Sequence, residues 1–203
     1  MCNDSDTLSA PNGSGCPDKE TVLYALTLVG GRGERLKPIT DTVPKSMVPL
    51  NGRPIVEYQV RWMQSQGVTD VVFLTGYLGE KVEEHFGDGA AFGIRAHYSH
   101  EDAPLGRGGA IRQGMSLVPV DENPILVTNG DNVTDLDLSR LMERHDSTRA
   151  LATLMLTRYP SQFGVVEVGD DDLVERFVEK GMLPIWINAG VYLFDRAIKS
   201  MLP

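Results

Sequence analysis

From Val22 to Val29 the chain is almost entirely apolar or β-branched, and it then breaks into Gly30, Gly31, Arg32, Gly33, Glu34 and Arg35. The apolar run predicts a buried strand. A hydrophobic strand that empties into glycines and arginines is how an α/β protein presents backbone N–H groups and fixed positive charge to a phosphate. Glycine serves there because each missing Cβ lets the main chain approach the oxygens. Between Gly30 and Lys45 the basic residues Arg32, Arg35, Lys37 and Lys45 face only Glu34 and Asp41, a local charge of 4 − 2 = +2 inside a chain of net charge −9. An anion is the expected partner of this loop. The alternative is a glycine turn whose arginines are simply solvated.

Two better-known phosphate loops do not fit. Lys45 follows Pro44 and no glycine, so the G-x-x-x-x-G-K-[ST] pattern is absent. The dinucleotide fingerprint lacks its third glycine, where Leu36 stands, and no acidic residue near position 50 could hold a ribose. A nicotinamide oxidoreductase is therefore not expected.

Composition narrows the class further. A chain of 203 residues can bury one full α/β core, and 41% hydrophobic with 23% charged residues is ordinary for a globular protein. The acidic balance argues against a nucleic-acid partner, which needs a basic face. No apolar run approaches the length of a membrane span, and the N-terminus has no signal-like pattern, so no membrane partner is expected. The cysteines, Cys2 and Cys16, both precede the first strand, which leaves no core disulfide and no Cys-based zinc site. A cytoplasmic location is the expectation.

Residues 1–20 are rich in Ser, Asn, Asp, Gly and Pro with no apolar period, and they are expected to form a disordered leader before a single domain over 21–203. Beyond it the pattern alternates. Pro54 opens a helix carrying Val56, Val60 and Met63 at helical spacing; Val71–Thr75 reads as a strand; Leu78, Val82 and Phe86 mark a second helix. A strand over Ile94–Tyr98, a helix over Ala110–Leu117, a strand over Pro124–Thr128 and a helix over Leu136–Arg144 capped by Asp135 follow. From Ala150 the pattern turns to strands. Such alternation predicts a doubly wound sheet whose ligand lies outside the carboxyl ends of its strands, where Gly30 and Asp131 both fall.

The motifs agree in order as well as in content. GGRGERLKPIT with PKSMVPLNGRPIVEY, then PLGRGGAIR (104–112), ILVTNGDNVTDLD (125–137), and FGVVEV, FVEK and INAGVYLFD (163–195) resemble the sugar-1-phosphate nucleotidylyltransferases over nearly the whole of 22–203. The resemblance implies a Rossmann-like three-layer doubly wound mixed sheet of the nucleotide-diphospho-sugar transferase type. It implies transfer of a nucleotidyl group from a nucleoside triphosphate to a sugar 1-phosphate with release of pyrophosphate. GTP with mannose or heptose 1-phosphate is the leading pairing; UTP or dTTP with another sugar phosphate, or a catalytically silent nucleotide-sugar-binding regulator, are the alternatives. A homo-oligomer is compatible with it.

Residue roles follow from the same resemblance. Arg35 and Lys45 match the triphosphate cations, with Gly30, Gly31, Gly33 and Glu34 beside them; Glu34 stands where the family usually has Thr. Leu105, Gly106 and Gly130 match the base and ribose contacts, although Arg107 replaces a Thr and the segment reads equally well as a glycine turn before a helix. Gly164, Glu179, Lys180 and Asn188 match the sugar-phosphate positions; Glu179-Lys180 alone would be a polar strand end. Asp131, behind Asn129-Gly130, matches the Mg2+ ligand, a hard carboxylate of the kind magnesium takes, while by itself it could simply begin a turn with Asn132. The family's catalytic domains usually continue to a strand or loop bearing a second metal-binding aspartate. The expectation is therefore either a C-terminal part missing from the 21–203 domain or a metal held by Asp131 alone.

Overall fold

The computed structural model describes residues 23–203. The leader expected over 1–20, and residues 21 and 22, lie outside the described residues. In chain order the elements are β1 (Tyr24–Leu28), β2 (Pro49–Leu50), β3 (Arg53–Pro54), α1 (Ile55–Ser65), β4 (Asp70–Thr75), α2 (Gly79–Phe86), β5 (Arg95–His100), α3 (Gly106–Gly114), β6 (Ile125–Asn129), α4 (Leu138–Thr148), β7 (Ala152–Pro160), β8 (Val165–Val168), β9 (Val174–Val178) and β10 (Met182–Phe194). Short 3-10 turns fill several of the connections.

The main sheet has the order β5-β4-β1-β6-β10-β7. Strands β5, β4, β1 and β6 run parallel, and β10 pairs antiparallel with both β6 and β7. This is the doubly wound mixed sheet expected from the alternating pattern. Both of its faces are buried, so the central strands are apolar on every side and do not alternate. Ala25, Val71, Phe73 and Leu126 pack with Val60, Met63, Val82 and Leu141 of α1, α2 and α4. Leu26, Val72, Leu74 and Val127 point the other way, onto Ile111 of α3 and Met115, with Ile198 and Leu202 closing the edge. Three layers result.

Two sequence-predicted helices shift. The helix expected at Ala110–Leu117 begins at Gly106, placing Gly108 and Gly109 inside α3, and passes at Met115 into a 3-10 turn. GRGG carries no apolar side chain to show a period; Ile111 and Met115, packing on the sheet, supply the drive instead. The fourth helix begins at Leu138, and its cap is Asp137, whose Oδ1 accepts from Ser139 N at 3.0 Å. Asp135 is not the cap, because Leu136 still lies before the helix, its carbonyl accepting from Trp62 Nε1 at 2.9 Å. At the far edge, β7 and β10 run beyond the core and carry the hairpin β8–β9, on which Val166, Val168 and Phe177 are exposed.

Candidate active site

The register of the parallel strands sets the site. Leu28 of β1 stands beside Leu74 of β4 and Asn129 of β6, so the chain leaves all three strands at one level. Gly130 N donates to Leu28 O at 2.9 Å, which brings the loop after β6 alongside Gly30. A cavity of about 390 Å³ opens on this rim, walled by Gly30, Gly31 and Lys45 on one side and Asn129, Asp131 and Asn132 on another. Glu101, Pro104, Gly106 and Arg107 complete it, over a floor that includes Leu28, Leu74 and Ala110.

Across this cavity Lys45 Nζ donates to Asp131 Oδ2 in an ion pair linking residues 86 positions apart. The side chains are 36% and 27% exposed, so both are reachable by a ligand. The glycine-arginine loop folds so as to deliver the lysine. Gly33 adopts φ +64°, and a Cβ there would stand 2.8 Å from Lys45 Cβ, so only glycine lets the lysine stem pass. Thr40 Oγ1 donates to Gly33 O at 3.0 Å and Lys45 N to Gly31 O at 3.4 Å, closing the loop upon itself. Tyr77, from the β4–α2 connection, clasps it from outside: its hydroxyl donates to Thr40 O at 3.3 Å while Arg32 lies 5.4 Å over its ring. Ser46, nearly buried, donates to Val29 O.

Of the residues singled out in the sequence, Gly30, Gly31, Lys45, Gly106 and Asp131 line the cavity, with Gly33 and Gly130 directly behind it. Leu105 stands at its edge, its N–H donated to Glu101. The structure does not bring Arg35 or Glu34 into the wall. Both lie exposed on a 3-10 turn (Glu34–Leu36), where Glu34 pairs with Lys37 at 2.9 Å. Lys37 thereby holds the Glu34 carboxyl below the usual range, and the carboxylate is turned away from the cavity. Gly164, Glu179, Lys180 and Asn188 are likewise outside the cavity wall, on the β8–β9 hairpin and β10. Asn188 spends its amide internally: Nδ2 donates to Tyr192 Oη at 2.7 Å and Oδ1 accepts from Gly190 N at 2.9 Å.

The sequence reading missed Glu101, Asn129 and Asn132. Asn132 Nδ2 donates to Ala189 O at 2.5 Å, tying the cavity edge to β10. Its position beside Asp131 was the available signal. Nothing in the local sequence marks Glu101, which reaches the cavity because β5 ends next to β4.

These features define a nucleotide-type cavity on a doubly wound sheet, with a carboxylate, an ammonium group and glycine backbone at the strand ends. The family model for nucleotidyl transferases matches residues 24–202, and the chain belongs to that family. It is 38% identical to the mannose-1-phosphate guanylyltransferase of Mycobacterium tuberculosis over 88% of this chain and 50% of that protein. It is 36% identical to the D-glycero-alpha-D-manno-heptose 1-phosphate guanylyltransferase of Campylobacter jejuni, over 87% of this chain and 77% of the relative. The chain thus spans about half the length of the mannose enzyme and about three quarters of the heptose enzyme. Among solved structures, HddC from Yersinia pseudotuberculosis superposes with a TM-score of 0.69 at 25% identity, covering 90% of this chain and 80% of that one. A second structure of HddC is complexed with GMP-PN.

Proposed function

We propose that this chain transfers a guanylyl group from GTP to mannose 1-phosphate or heptose 1-phosphate, forming a GDP-sugar and pyrophosphate. The observation that carries the reading is the Lys45–Asp131 pair facing a cavity floored by the ends of β1 and β4, beside the Gly30-Gly31 backbone. The guanylyltransferase names of the relatives, and the HddC complex with GMP-PN, support guanine as the base.

In this reaction a phosphate oxygen of the sugar 1-phosphate bonds to the α-phosphorus of the triphosphate as the bond to the bridging oxygen breaks, and pyrophosphate leaves. No protein nucleophile is required, so positioning and charge stabilisation carry the catalysis. Lys45 exchanges its carboxylate partner for phosphate oxygens, the Gly30 and Gly31 backbone borders the polyanion, and Asn129 and Asn132 shape the acceptor side. Arg35, exposed on its turn, meets the triphosphate from the loop side. Gly164, Glu179 and Lys180, beside the β8–β9 hairpin, and Asn188 on β10 serve the sugar phosphate.

Asp131 suits Mg2+, which needs only one or two carboxylates when substrate phosphates and water complete its shell. The Lys45 ammonium against the Asp131 carboxylate supports the reading, because that side of the carboxylate accepts a cation. Among the described residues no group of three or more His, Cys, Asp or Glu could hold a metal; in the proposed complex substrate phosphates share the ligation with Asp131. Held by Asp131, magnesium would neutralise charge on the phosphate oxygens. Among the described residues no helix is long and apolar enough to cross a membrane. A cytoplasmic setting accords with soluble substrates of this kind.

The deciding experiment pairs GTP, UTP, dTTP, ATP and CTP with mannose, heptose and glucose 1-phosphates and measures pyrophosphate release with and without magnesium. GTP with mannose or heptose 1-phosphate should lead. Nucleotide-sugar binding without pyrophosphate from any pairing would instead identify a regulatory relative.

A further inference from the structure

Between Gly31 and Val43 the chain buries one side chain, Thr40, so packing alone does not hold this loop beside the cavity. Thr40 spends its hydroxyl inside the loop, on Gly33 O. Among the described residues, one side chain from another element bonds the backbone of residues 31–42, and it is Tyr77.

Tyr77 stands half-buried in the connection between β4 and α2. Its hydroxyl shares one proton between Thr40 O at 3.3 Å and Asp41 O at 3.4 Å, a three-centre bond to two consecutive carbonyls. Its ring carries the Arg32 guanidinium at 5.4 Å, so the same side chain grips the loop near both ends. The connection that bears it is fixed in turn. Gly79 N donates to Gly76 O at 3.0 Å, and a Cβ on Gly30 would stand 3.1 Å from Gly76 N. The root of the loop and the root of the clasp therefore touch.

What the clasp holds is the phosphate end of the cavity. Thr40 is tied to Gly33, and Gly33 lies against the stem of Lys45, where a Cβ would stand 2.8 Å from Lys45 Cβ. Releasing Thr40 and Asp41 loosens Gly33 and, through it, Lys45 and the Gly31 backbone that lines the cavity. An exposed loop without its anchor samples many conformations. A ligand that needs one of them binds more weakly in proportion to the fraction populated. Once the ligand has ordered the loop, the reacting groups stand as before, so the loss falls on binding and spares turnover.

We propose that Tyr77 is a positioning residue for the nucleoside triphosphate, pinning the glycine-arginine loop through Thr40, Asp41 and Arg32 and thereby setting donor affinity. This rests on the nucleotidyl-transfer reading above and adds a residue outside the cavity wall that governs one substrate and not the other.

The test compares Tyr77→Phe with wild type in the full chain. KM for GTP should rise by roughly five- to tenfold, with kcat and the KM for the sugar 1-phosphate within about twofold of wild type. Trypsin, which cleaves after the exposed Arg32 and Arg35, should nick the variant roughly fivefold faster, and saturating GTP should restore protection. The melting temperature should hardly move. Arg32→Gln removes the ring contact and keeps the hydroxyl bonds, so it should act in the same direction and more weakly; it replaces Tyr77→Phe if that variant fails to fold. An unchanged KM for GTP with unchanged cleavage would overturn the assignment and leave guanylyl transfer standing. So would a fall in kcat at constant KM, or equal losses towards both substrates with a lowered melting temperature. Wild-type protein that releases no pyrophosphate from GTP would instead sink the guanylyl-transfer reading, and the trypsin comparison, which needs no substrate, would still decide whether Tyr77 holds the loop.

Discussion

Asp70 and Asp131 stand at opposite ends of the same sheet, each beside a cation, and they differ in how fully they are satisfied. Asp70 opens β4 at the amino end of the strands and is wholly buried. It accepts from Arg95 Nε at 2.8 Å, from Thr69 Oγ1 at 2.7 Å, and meets His97 Nε2 at 3.0 Å. Asp131 follows β6 at the carboxyl end, is 27% exposed, and pairs through Oδ2 with Lys45 across a cavity. A carboxylate whose oxygens are taken by three partners has no capacity left for a ligand, and its energy goes into the fold. One paired with a single mobile ammonium can exchange that partner for a metal or a phosphate. Parallel strands put the cavity-facing pair at their carboxyl ends, where the general rule for open α/β sheets puts ligands, and the structural cluster at the other.

The largest expected effect lies at the exchangeable end. Lys45→Ala and Asp131→Asn should each lower turnover by roughly a hundredfold or more, with melting temperatures nearly unchanged, because a half-exposed pair contributes little to stability. A large loss of melting temperature with activity preserved would reverse the roles assigned to the two ends.

Asp70→Asn should show the opposite signature, lowering unfolding stability by about 2 kcal/mol with kcat within a few-fold of wild type. Its pH dependence has a definite sign. Burial alone would raise the Asp70 pKa, but Arg95, His97 and Thr69 outweigh it and lower the value from 3.8 to about 2. The carboxylate's contribution is therefore fully present above pH 4 and fades as pH falls towards 2, about 2 kcal/mol for a shift of this size. Urea unfolding at pH 7 and pH 3 should show the gap between wild type and variant narrowing at the lower pH. A gap that widens on acidification would exclude this account.

The smallest effect concerns a carboxylate that only caps. Asp137→Ala should cost about 1 kcal/mol of stability and Asp135→Ala close to nothing, measured by chemical denaturation. Equal effects would return the cap to the position suggested by the sequence pattern.

How much was legible varied with the physics involved. The strand-to-glycine break at Val29-Gly30 and the apolar run before Asn129-Gly130-Asp131 are local signals, and both ends landed on the cavity rim. Lys45 was legible by resemblance. Its delivery depends on the left-handed Gly33, which one-dimensional reading treats as one more glycine. Arg35 and Glu34 were read as site residues by resemblance; both stand exposed on a 3-10 turn outside the cavity wall, with Glu34 paired to Lys37, an orientation no local pattern announces. The start of α3 was missed because glycines carry no periodicity, and packing by Ile111 and Met115 decides it.

Sequence alone determined the parallel core, since strands buried on both faces must be apolar throughout, and it placed the glycine-bearing loops after β1 and β6 on the cavity rim, since a strand that breaks into glycine ends there. Tertiary structure alone decided which charges meet. The pairing of Lys45 with Asp131 joins positions 86 residues apart. Glu101 enters the same cavity only because β5 lies beside β4 and the strand ends at Gly76 and Gly30 carry no side chains. Such meetings follow from strand order and register, which long-range hydrogen bonding sets and no local stretch of residues encodes.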